Sequence, residues 1–458
     1  MNFGEEIREE ENLVKTVFRK FKTKDFSGTT GQAMKNSTYQ LTQNIIFKFG
    51  SLAFTIIIAR LLLPDRMGLY NLALATIVLF SSFSDLGISS ALITFGAKMV
   101  GLKRQGKAKG YLKKLFKWKL RLVFITSGIL IASAYFISEY YYQKPIFYAL
   151  LVGALYIPIV GLIGFIEQIF KVEENFRVPL YKEILFQISR LIIVPAGILF
   201  FLKFGLSERG MVFMTLLLFV SAYAVTLLFL AIKGRKQIRF LDAKTEELEF
   251  GEIVDLKKFI YPLTATAMAG LFFGYIDTLM LGHFVSGSFI AYYGAAFSLV
   301  GGASAIIGFI SLAVLPIFAK KNGKALEGIF RKSRDMTIFL SLLAGVFTYF
   351  VAYYVVKFAY GVEYLNTVPI LKYFSILVVL LPIIGIYEGY FTTQKKTKKL
   401  ATLLVTSAIL NIIFNVFGIL YGLKVAGEMG AVFGAVFATI LSRFIYLVGL
   451  VRFRRKGV

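Results

Sequence analysis

The sequence of 458 residues contains no cysteine and a single histidine, His283. The absence of cysteine excludes disulfide bonds, thiolate nucleophiles and cysteine-based metal sites. One histidine is too few for a histidine-based metal site, and it argues against a serine-protease type of triad. Acidic residues are also scarce, with 26 against 52 lysines and arginines. We therefore expect neither a bound metal nor a cofactor.

What the sequence has in abundance is apolar residues. They make up 57% of the chain, and the mean hydropathy is +0.72. Ordinary soluble domains contain roughly 45–50% apolar residues. Apolar runs of the ~20 residues needed to cross a bilayer recur along the whole chain. The composition therefore predicts an all-α polytopic membrane protein.

The formal net charge of +26 raises the question of a nucleic-acid partner. The basic residues, however, stand in short clusters between apolar runs, which is typical of the cytoplasmic loops of membrane proteins. The charge therefore indicates a membrane protein whose partners include anionic lipid headgroups, and not a nucleic-acid-binding protein.

A short internal repeat divides the chain into two halves. Residues 59–95 contain the end of one predicted apolar helix, a short turn and a second apolar helix. The same arrangement recurs in residues 282–301. A gap-free superposition of the two stretches pairs the following residues: Gly68 with Ala291, Tyr70 with Tyr293, and Ala73 with Ala296. A repeat at this spacing is typical of a membrane protein built from two six-helix halves.

Hydropathy predicts about twelve transmembrane helices in two six-helix lobes. The predicted spans are residues 38–63, 68–98, 119–138, 145–170, 181–206, 210–233, 258–283, 288–317, 336–358, 366–392, 399–424 and 429–451. The N-terminal lobe is predicted to cover residues 38–233 and the C-terminal lobe residues 258–458, including a basic tail. The polar stretch 234–257 is the predicted linker between them.

The loops predict the orientation in the membrane. Lysine and arginine clusters occupy alternate loops, and the loops between them carry few charges. This pattern places both termini in the cytoplasm of a multi-pass protein of the plasma membrane. Residues 1–37 combine an acidic start, a basic end and one apolar face, so they are predicted to form an amphipathic helix on the cytoplasmic surface or a partly ordered tail.

Charged residues inside the predicted spans are candidate functional residues, because each costs ~2.5–3.5 kcal/mol at mid-membrane on insertion scales. Lys48 and Arg190 each lie about ten residues into a span, near the bilayer centre at ~1.5 Å per residue. Two cations at this depth suit an anionic ligand. The alternative is structural pairing with an acid such as Asp85.

Two acids remain as further candidates. Asp85 lies in a serine-rich span and shares a helix face with Ser81 and Ser89, which indicates either the wall of a wet cavity or interhelical hydrogen bonding. Asp277 is a candidate for binding a coupling cation, or for pairing with Arg60 near the outer end of the first span.

Several stretches of the sequence resemble a known group of transporters. The run ARLLLPDRMGLYNLALA (residues 59–75), followed by FSDLGISSALI (83–93), resembles the opening helices of polysaccharide biosynthesis proteins. These are lipid-linked oligosaccharide flippases of the multidrug/oligosaccharidyl-lipid/polysaccharide exporter superfamily. IDTLMLGHF (276–284) and GAVFGAVFATILSR (430–443) resemble later segments, with Asn411 and Asn415 at family-like places. The sequence departs from the family at Leu63, where glycine is usual.

The resemblance implies two lobes around a central cavity that opens alternately to each side. It also implies a substrate made of a glycan on a polyprenyl (pyro)phosphate carrier. Cations in the cavity are then expected to hold the phosphates, and Lys48 and Arg190 fit that role, with Arg60 and Asp85 as further substrate-binding candidates. Asp277 and Asp85 are the candidate ion-coupling residues.

Two other functions compete with a flippase. A cation-coupled multidrug exporter of the same superfamily would need acids deep in the first lobe, and the first span carries Lys48 instead. A membrane-bound glycosyltransferase or ligase would need an extramembrane catalytic surface. The short outer loops and the lack of a clustered acid–base motif argue against an enzyme.

Overall fold

The computed structural model describes residues 28–321 and 323–455 of the chain. This part is about 90% helical, and none of it forms a β-strand. Helices prevail because a backbone in lipid has to satisfy its own hydrogen bonds within the segment. The amphipathic helix predicted for residues 1–37 falls mostly outside the described residues, and residues 28–37 belong to the first long helix.

Twelve α-helices follow one another along the described chain. They are α1 (Gly28–Ser82), α2 (Ile88–Ala91), α3 (Ala97–Gly101), α4 (Gln105–Tyr135), α5 (Phe147–Val172), α6 (Arg177–Leu202), α7 (Glu208–Gln237), α8 (Phe250–Phe284), α9 (Gly287–Lys320), α10 (Gly323–Ala359), α11 (Thr367–Thr393) and α12 (Thr397–Arg455). Two π-helical segments continue α2 and α4, over Leu92–Gly96 and Phe136–Tyr142, and short 3₁₀ turns cover Arg239–Asp242 and Val362–Tyr364.

Two of these helices are hairpins, and each of their arms is long enough to cross a membrane. Helix α12 is kinked at Ala426 and Gly427, and beyond the kink its second arm folds back on its first. A Cβ atom on Gly434 would lie 2.0 Å from the carbonyl oxygen of Gly418, and one on Gly430 would lie 2.1 Å from that of Gly422. The two arms therefore touch backbone to backbone along glycine.

Helix α1 is kinked in the same way at Leu63, just before Pro64. Its two arms pack on the same ring, since Phe54 stacks on Phe219 and Tyr70 meets that ring edge-on. Nine of the described helices are long and apolar enough to cross a membrane. With α8 included and the two arms of α1 and α12 counted separately, the described chain has six long helical segments in each half. The predicted two-lobe fold with about twelve transmembrane helices is confirmed.

The predicted span 68–98 is not one continuous helix. The chain leaves α1 at Ser82, makes a turn over residues 83–87 and resumes at Ile88. Leu86 and Gly87 have φ angles of 44° and 88°, which a helix does not allow. Asp85 thus lies in this turn, ~28 Å of helix away from the kink, and not at the middle of a helix as predicted.

Helices α4 and α10 begin earlier than the hydropathy predicts, at Gln105 and Gly323 in place of residues 119 and 336. Their first three turns carry several lysines or arginines, so a search for apolar spans excludes them. The helix continues beyond the apolar stretch because water and headgroups solvate these side chains.

The bundle has two ends that differ in charge. We call the end that holds the start of α1 and the lysine-rich loops, such as 102–104 and 394–396, the basic end. The opposite end holds the kinks of α1 and α12 and the loops 143–146, 203–207 and 285–286.

The lobes close on each other at the opposite end. Arg60 donates to the carbonyl oxygens of Phe358 and Ala359, and the Tyr364 hydroxyl donates to the carbonyl of Ala59 over 3.1 Å. Gly68 and Gly287 touch backbone to backbone, since a Cβ on Gly68 would lie 1.7 Å from the Gly287 oxygen. Helices α1 and α9 are therefore in direct contact at this end.

A second cluster extends this closure. Glu428 accepts hydrogen bonds from the backbone nitrogen and the hydroxyl of Ser286, over 2.7 and 2.9 Å. Burial lowers the pKa of Lys144 in the N-terminal lobe, and the charge of Glu428 in the other lobe opposes that decrease. The two groups are therefore close enough to attract each other across the lobe boundary.

The internal repeat lies at this boundary. Asp65 Oδ1 accepts hydrogen bonds from the Ser288 hydroxyl over 2.6 Å and from its backbone nitrogen over 3.1 Å. Asp65 and Ser288 are paired by the same gap-free superposition that pairs Tyr70 with Tyr293. Equivalent positions of the two halves therefore meet face to face, as expected at a pseudo-two-fold axis.

The linker is fastened to the N-terminal lobe at the basic end. Lys109 Nζ donates to the carbonyl oxygens of Leu241 and Ala243 over 2.5 and 2.8 Å. Lys107 forms an ion pair of 2.9 Å with Glu252 at the start of α8. Burial acts to raise the pKa of Glu252, but Lys107 and the backbone nitrogen of Glu249 together outweigh burial and lower it. The predicted linker 234–257 is thus partly helical and docked.

Candidate functional site: an inter-lobe cavity and two buried polar clusters

A cavity of about 450 Å³ lies between the lobes. Lys48 of α1 forms one wall, and α9 and α11 form the other. The lining runs from Gly301 at mid-depth to Thr392 near the end of α11, so the cavity extends from the middle of the bundle to the basic end. Its position agrees with the central cavity that the family resemblance implies.

Lys48 is the exposed cation of this cavity. Within residues 28–321 and 323–455, no carboxylate forms an ion pair with its ammonium group. Across the cavity stand Glu388 and the hydroxyls of Ser304 and Ser311. These two hydroxyls have no hydrogen-bond partner in the described part of the chain. The cavity thus offers one cation, one carboxylate and two free hydroxyls to a ligand.

Arg190 differs from Lys48 in being buried, at 4% exposure. Its guanidinium donates to the Gln187 side-chain oxygen and, over 2.8 Å, to the Ser51 hydroxyl. The rings of Phe54 and Phe186 flank it, with centroids 4.8 and 4.9 Å away. No carboxylate of the described residues forms an ion pair with it, so its charge is solvated by neutral groups and aromatic faces.

A ladder of polar groups connects Arg190 to the basic end. Gln187 donates to Glu183 over 2.6 Å, and Lys182 pairs with both Glu183 and Glu167 over 3.1 and 2.9 Å. Glu167 also pairs with Lys171 over 2.8 Å. The ladder holds three cations, including Arg190, and two carboxylates, so this buried path carries a net positive charge of one.

Asp85 is held by Lys119 of α4, over 2.8 Å, and by the Ser89 hydroxyl over 2.5 Å. The alternative that Asp85 pairs with Lys48 or Arg190 is therefore wrong in this conformation. The Lys119 side chain is only 3% exposed. This ion pair joins the turn at residues 83–87 to α4, and it stands apart from the cavity.

Arg60 lies at the opposite end, where it binds the carbonyl oxygens that end α10. It does not reach the cavity, and it does not pair with Asp277, which has other partners. In this conformation Arg60 holds the lobes together, so a substrate contact for it stays a prediction about another state of the cycle.

Asp277 lies at the centre of a buried cluster in the C-terminal lobe, with 4% exposure. Asn415 donates to its Oδ1 over 2.6 Å, and Tyr293 and Thr439 donate to its Oδ2 over 2.7 and 2.8 Å. The side-chain oxygens of Asn411 and Asn415 are buried and have no hydrogen-bond partner within the described residues. A carboxylate beside two unpartnered amide oxygens is a suitable set of ligands for a hard cation.

The repeat places a tyrosine beside a buried charge in each lobe. In the C-terminal lobe Tyr293 bonds Asp277. In the N-terminal lobe the equivalent Tyr70 lies within the electrostatic field of Arg190, and its buried hydroxyl has no partner among the described residues. The two lobes thus carry centres of opposite charge at equivalent depths.

Sequence reasoning identified Asp277 but not the whole of its surroundings. Tyr293 was marked by the repeat, and Asn411 and Asn415 by the resemblance. Arg443 is a charged residue inside a predicted span and was a candidate for that reason. Thr439 and Tyr446 were missed, and their helical spacing of four and three residues from Arg443 was the available signal. Among the described residues, no three His, Cys, Asp or Glu side chains cluster as a metal site.

The sequence matches a family described as polysaccharide biosynthesis protein over residues 57–369, more than half of the chain. The chain belongs to this family. No curated protein matches the sequence. The family match spans the kink of α1, the turn at Asp85, Arg190 and Asp277, and it ends before Glu388 and the asparagines of α12.

Solved structures similar to this member of the polysaccharide biosynthesis family are transporters. An inward closed conformation of the lipid II flippase MurJ has a TM-score of 0.66 at 16% identity, covering 91% of this chain and 87% of that one. An inward-facing multidrug resistance MATE family transporter of the MOP superfamily also reaches 0.66, at 14% identity, with 90% and 98% covered. These values show a common fold.

An outward-facing conformation of a multidrug resistance MATE family transporter is less similar. Its TM-score is 0.57 at 14% identity, over 93% of this chain and 96% of that one. The likeness shows that this chain shares the fold of that transporter as well.

Proposed function

We propose that this protein is a flippase that moves a polyprenyl (pyro)phosphate-linked oligosaccharide from the cytoplasmic to the outer leaflet by alternating access. The observation that carries the proposal is Lys48, a cation without an ion-pair partner among the described residues, in the wall of the inter-lobe cavity. Family membership supports the same function. The protein acts by moving its substrate and not by changing it chemically.

The cavity suits the polar part of such a lipid. A phosphate carries its charge into a low-dielectric region only if a cation compensates it, and an attraction there is several times stronger than in water. Lys48 supplies that cation, and Ser304 and Ser311 supply hydroxyls for phosphate or sugar. The buried charge of Arg190, bonded to Ser51 one turn beyond Lys48, adds positive potential without direct contact.

The basic end is the cytoplasmic end in this proposal, because positively charged loops stay in the cytoplasm. The protein then lies in the plasma membrane with both termini in the cytoplasm. The cavity opens inward, where a lipid-linked glycan made in the cytoplasm enters. Closure at the basic end with opening of the Asp65–Ser288 contact would deliver it outward.

Asp277 is the proposed ion-coupling residue. A monovalent cation bound by its carboxylate and by the free oxygens of Asn411 and Asn415 would satisfy three buried acceptors at once. Asp85 is a weaker candidate, since its charge is already matched by Lys119. The driving ion would then act from the C-terminal lobe.

A cation-coupled multidrug exporter is the second candidate. Glu388 in the cavity wall favours it, because a carboxylate would attract a cationic substrate. The two candidates differ in the charge of the substrate. Flipping of a fluorescent polyprenyl-pyrophosphate-linked sugar in proteoliposomes tests the first, and uptake of a fluorescent cationic dye into the same vesicles tests the second. Transport of the dye without flipping of the lipid-linked sugar would favour the multidrug exporter over the flippase.

A further inference from the structure

Helix α12 carries a guanidinium between the ion-binding cluster and the cavity. Thr439, Arg443 and Tyr446 lie on one face of this helix, at spacings of four and three residues. Thr439 donates to Asp277 over 2.8 Å, and Tyr446 donates to the Glu388 carboxylate over 2.8 Å. Arg443 is thus placed between two carboxylates, one in the buried cluster and one in the cavity wall.

The charges near Arg443 agree with its placement between Asp277 and Glu388. Arg443 interacts with Asp277 and with Glu388, and also with the tyrosine that bonds each of them. In an environment of low dielectric constant, one guanidinium between two carboxylates cannot compensate both fully. Its charge is divided between them, and a change at one carboxylate alters how much remains for the other.

Four charged side chains connect the proposed ion site to the cavity, and their formal charges sum to zero before an ion or a substrate binds. Lys48 and Arg443 are positive, and Asp277 and Glu388 are negative. Adding one monovalent cation at Asp277 gives the set a charge of plus one. The cavity then attracts an anionic group more strongly than before, and an anionic group in turn favours the cation.

We propose that Arg443 is the coupling residue between the cation at Asp277 and the anionic group of the substrate in the cavity. A cation at Asp277 repels the guanidinium toward Glu388 and the cavity, where it adds to the charge of Lys48. A bound pyrophosphate draws the guanidinium the same way and frees Asp277 for the cation. This inference rests on the proposed function, and the linkage is reciprocal.

The test measures sodium binding to the full-length protein in lipid nanodiscs, with and without saturating farnesyl pyrophosphate as the anionic probe. In the wild type, the probe should raise sodium affinity about tenfold, within the range common for coupled sites. Arg443→Gln should bind sodium about tenfold more tightly without the probe, because a competing positive charge is gone. The effect of the probe should then fall below twofold.

Three further variants make the outcome specific. Glu388→Gln should also reduce the effect of the probe while sodium still binds, and Arg443→Lys, which keeps the charge, should retain part of the effect. Arg452→Gln is the matched control, because this arginine is exposed on the same helix at the basic end. It should behave as the wild type does.

Two results would overturn the inference, and they differ in what else they affect. If Arg443→Gln binds sodium and the probe still raises its affinity tenfold, Arg443 is not the coupling residue, and the proposed function stands. If the wild type binds none of sodium, lithium and potassium, the ion site at Asp277 is wrong, and the coupling through Arg443 is wrong with it.

Discussion

At the scale of single residues, Lys48 and Arg190 show what depth alone predicts and what it leaves open. The position of each residue in its span indicates mid-membrane depth, and both were therefore candidates for binding an anionic ligand. The direction in which a side chain points depends on the packing of neighbouring helices. Lys48 therefore lies in the cavity, and Arg190 lies between two aromatic rings.

Leu63 has a φ angle of 63° and a ψ angle of 170°, a combination that only glycine adopts without strain. The resemblance had marked this position as one where glycine is usual. We predict that Leu63→Gly raises thermal stability in detergent, by an amount equivalent to about 1–3 kcal/mol. Leu62→Gly is the control, because Leu62 is fully buried in regular helix and its replacement should lower stability. A lower melting temperature for Leu63→Gly would contradict this account.

Asp85 and Lys119 make a second prediction at this scale. Removing the carboxylate leaves the buried Lys119 ammonium without its ion-pair partner, but the Asp85 side chain is 36% exposed and water can partly replace it. Asp85→Asn should therefore destabilise the protein by about 1–3 kcal/mol. The double variant Asp85→Asn/Lys119→Met should regain most of the loss, since no unpaired charge remains. Thermal unfolding of the three variants, with transport measured below the transition, separates this structural role from substrate binding. Normal stability combined with lost transport in Asp85→Asn would support a site role.

At the scale of helices, the contacts between glycines in α12 decide how its two arms pack. Gly430 and Gly434 have the spacing of a small-xxx-small pair, and they pack closely against Gly422 and Gly418. The turn at Asp85 was not predicted, because the serine-rich stretch around it keeps the apolar character of a span. Only Gly87 gave a local signal for a break.

A methyl group at position 434 would overlap a carbonyl oxygen, so Gly434→Ala should push the arms of α12 apart and lower the melting temperature by several degrees. Gly164→Ala is a matched control in α5, because nothing lies within 4 Å of a Cβ built there. That variant should be as stable as the wild type or slightly more so. Equal effects of the two substitutions would show that the backbone contact does not stabilise the hairpin.

The contact between Asp65 and Ser288 allows a test of lobe movement by disulfide cross-linking. The chain has no native cysteine, so two introduced cysteines can pair only with each other within it. In Asp65→Cys/Ser288→Cys, oxidation should form a disulfide across the lobe boundary and hold the opposite end closed. We expect transport to stop on oxidation and to return on reduction. Each single-cysteine variant should be insensitive to oxidant. Unchanged transport by the cross-linked protein would mean that this end does not open during the cycle.

At the scale of the whole molecule, most of the architecture follows from the sequence. The apolar runs predict twelve crossings, and the repeat around Tyr70 and Tyr293 predicts two lobes. Contacts between distant segments could not be predicted from the sequence, because residue pattern and spacing do not show which helices pack against each other. Arg60 on the carbonyls of α10 and Glu388 beside Tyr446 are contacts of this kind.

Lys48 is proposed to hold an anionic lipid headgroup between the lobes, and a flipping assay can test this role. Proteoliposomes with a fluorescent polyprenyl-pyrophosphate-linked sugar would compare the wild type with Lys48→Ala, Lys48→Arg and Lys424→Ala, the last being an exposed lysine at the opposite end. We predict that Lys48→Ala loses at least nine-tenths of the rate, about 1.4 kcal/mol in transport activation. Lys48→Arg should keep much of it, and Lys424→Ala nearly all. Full transport by well-folded Lys48→Ala would contradict the account.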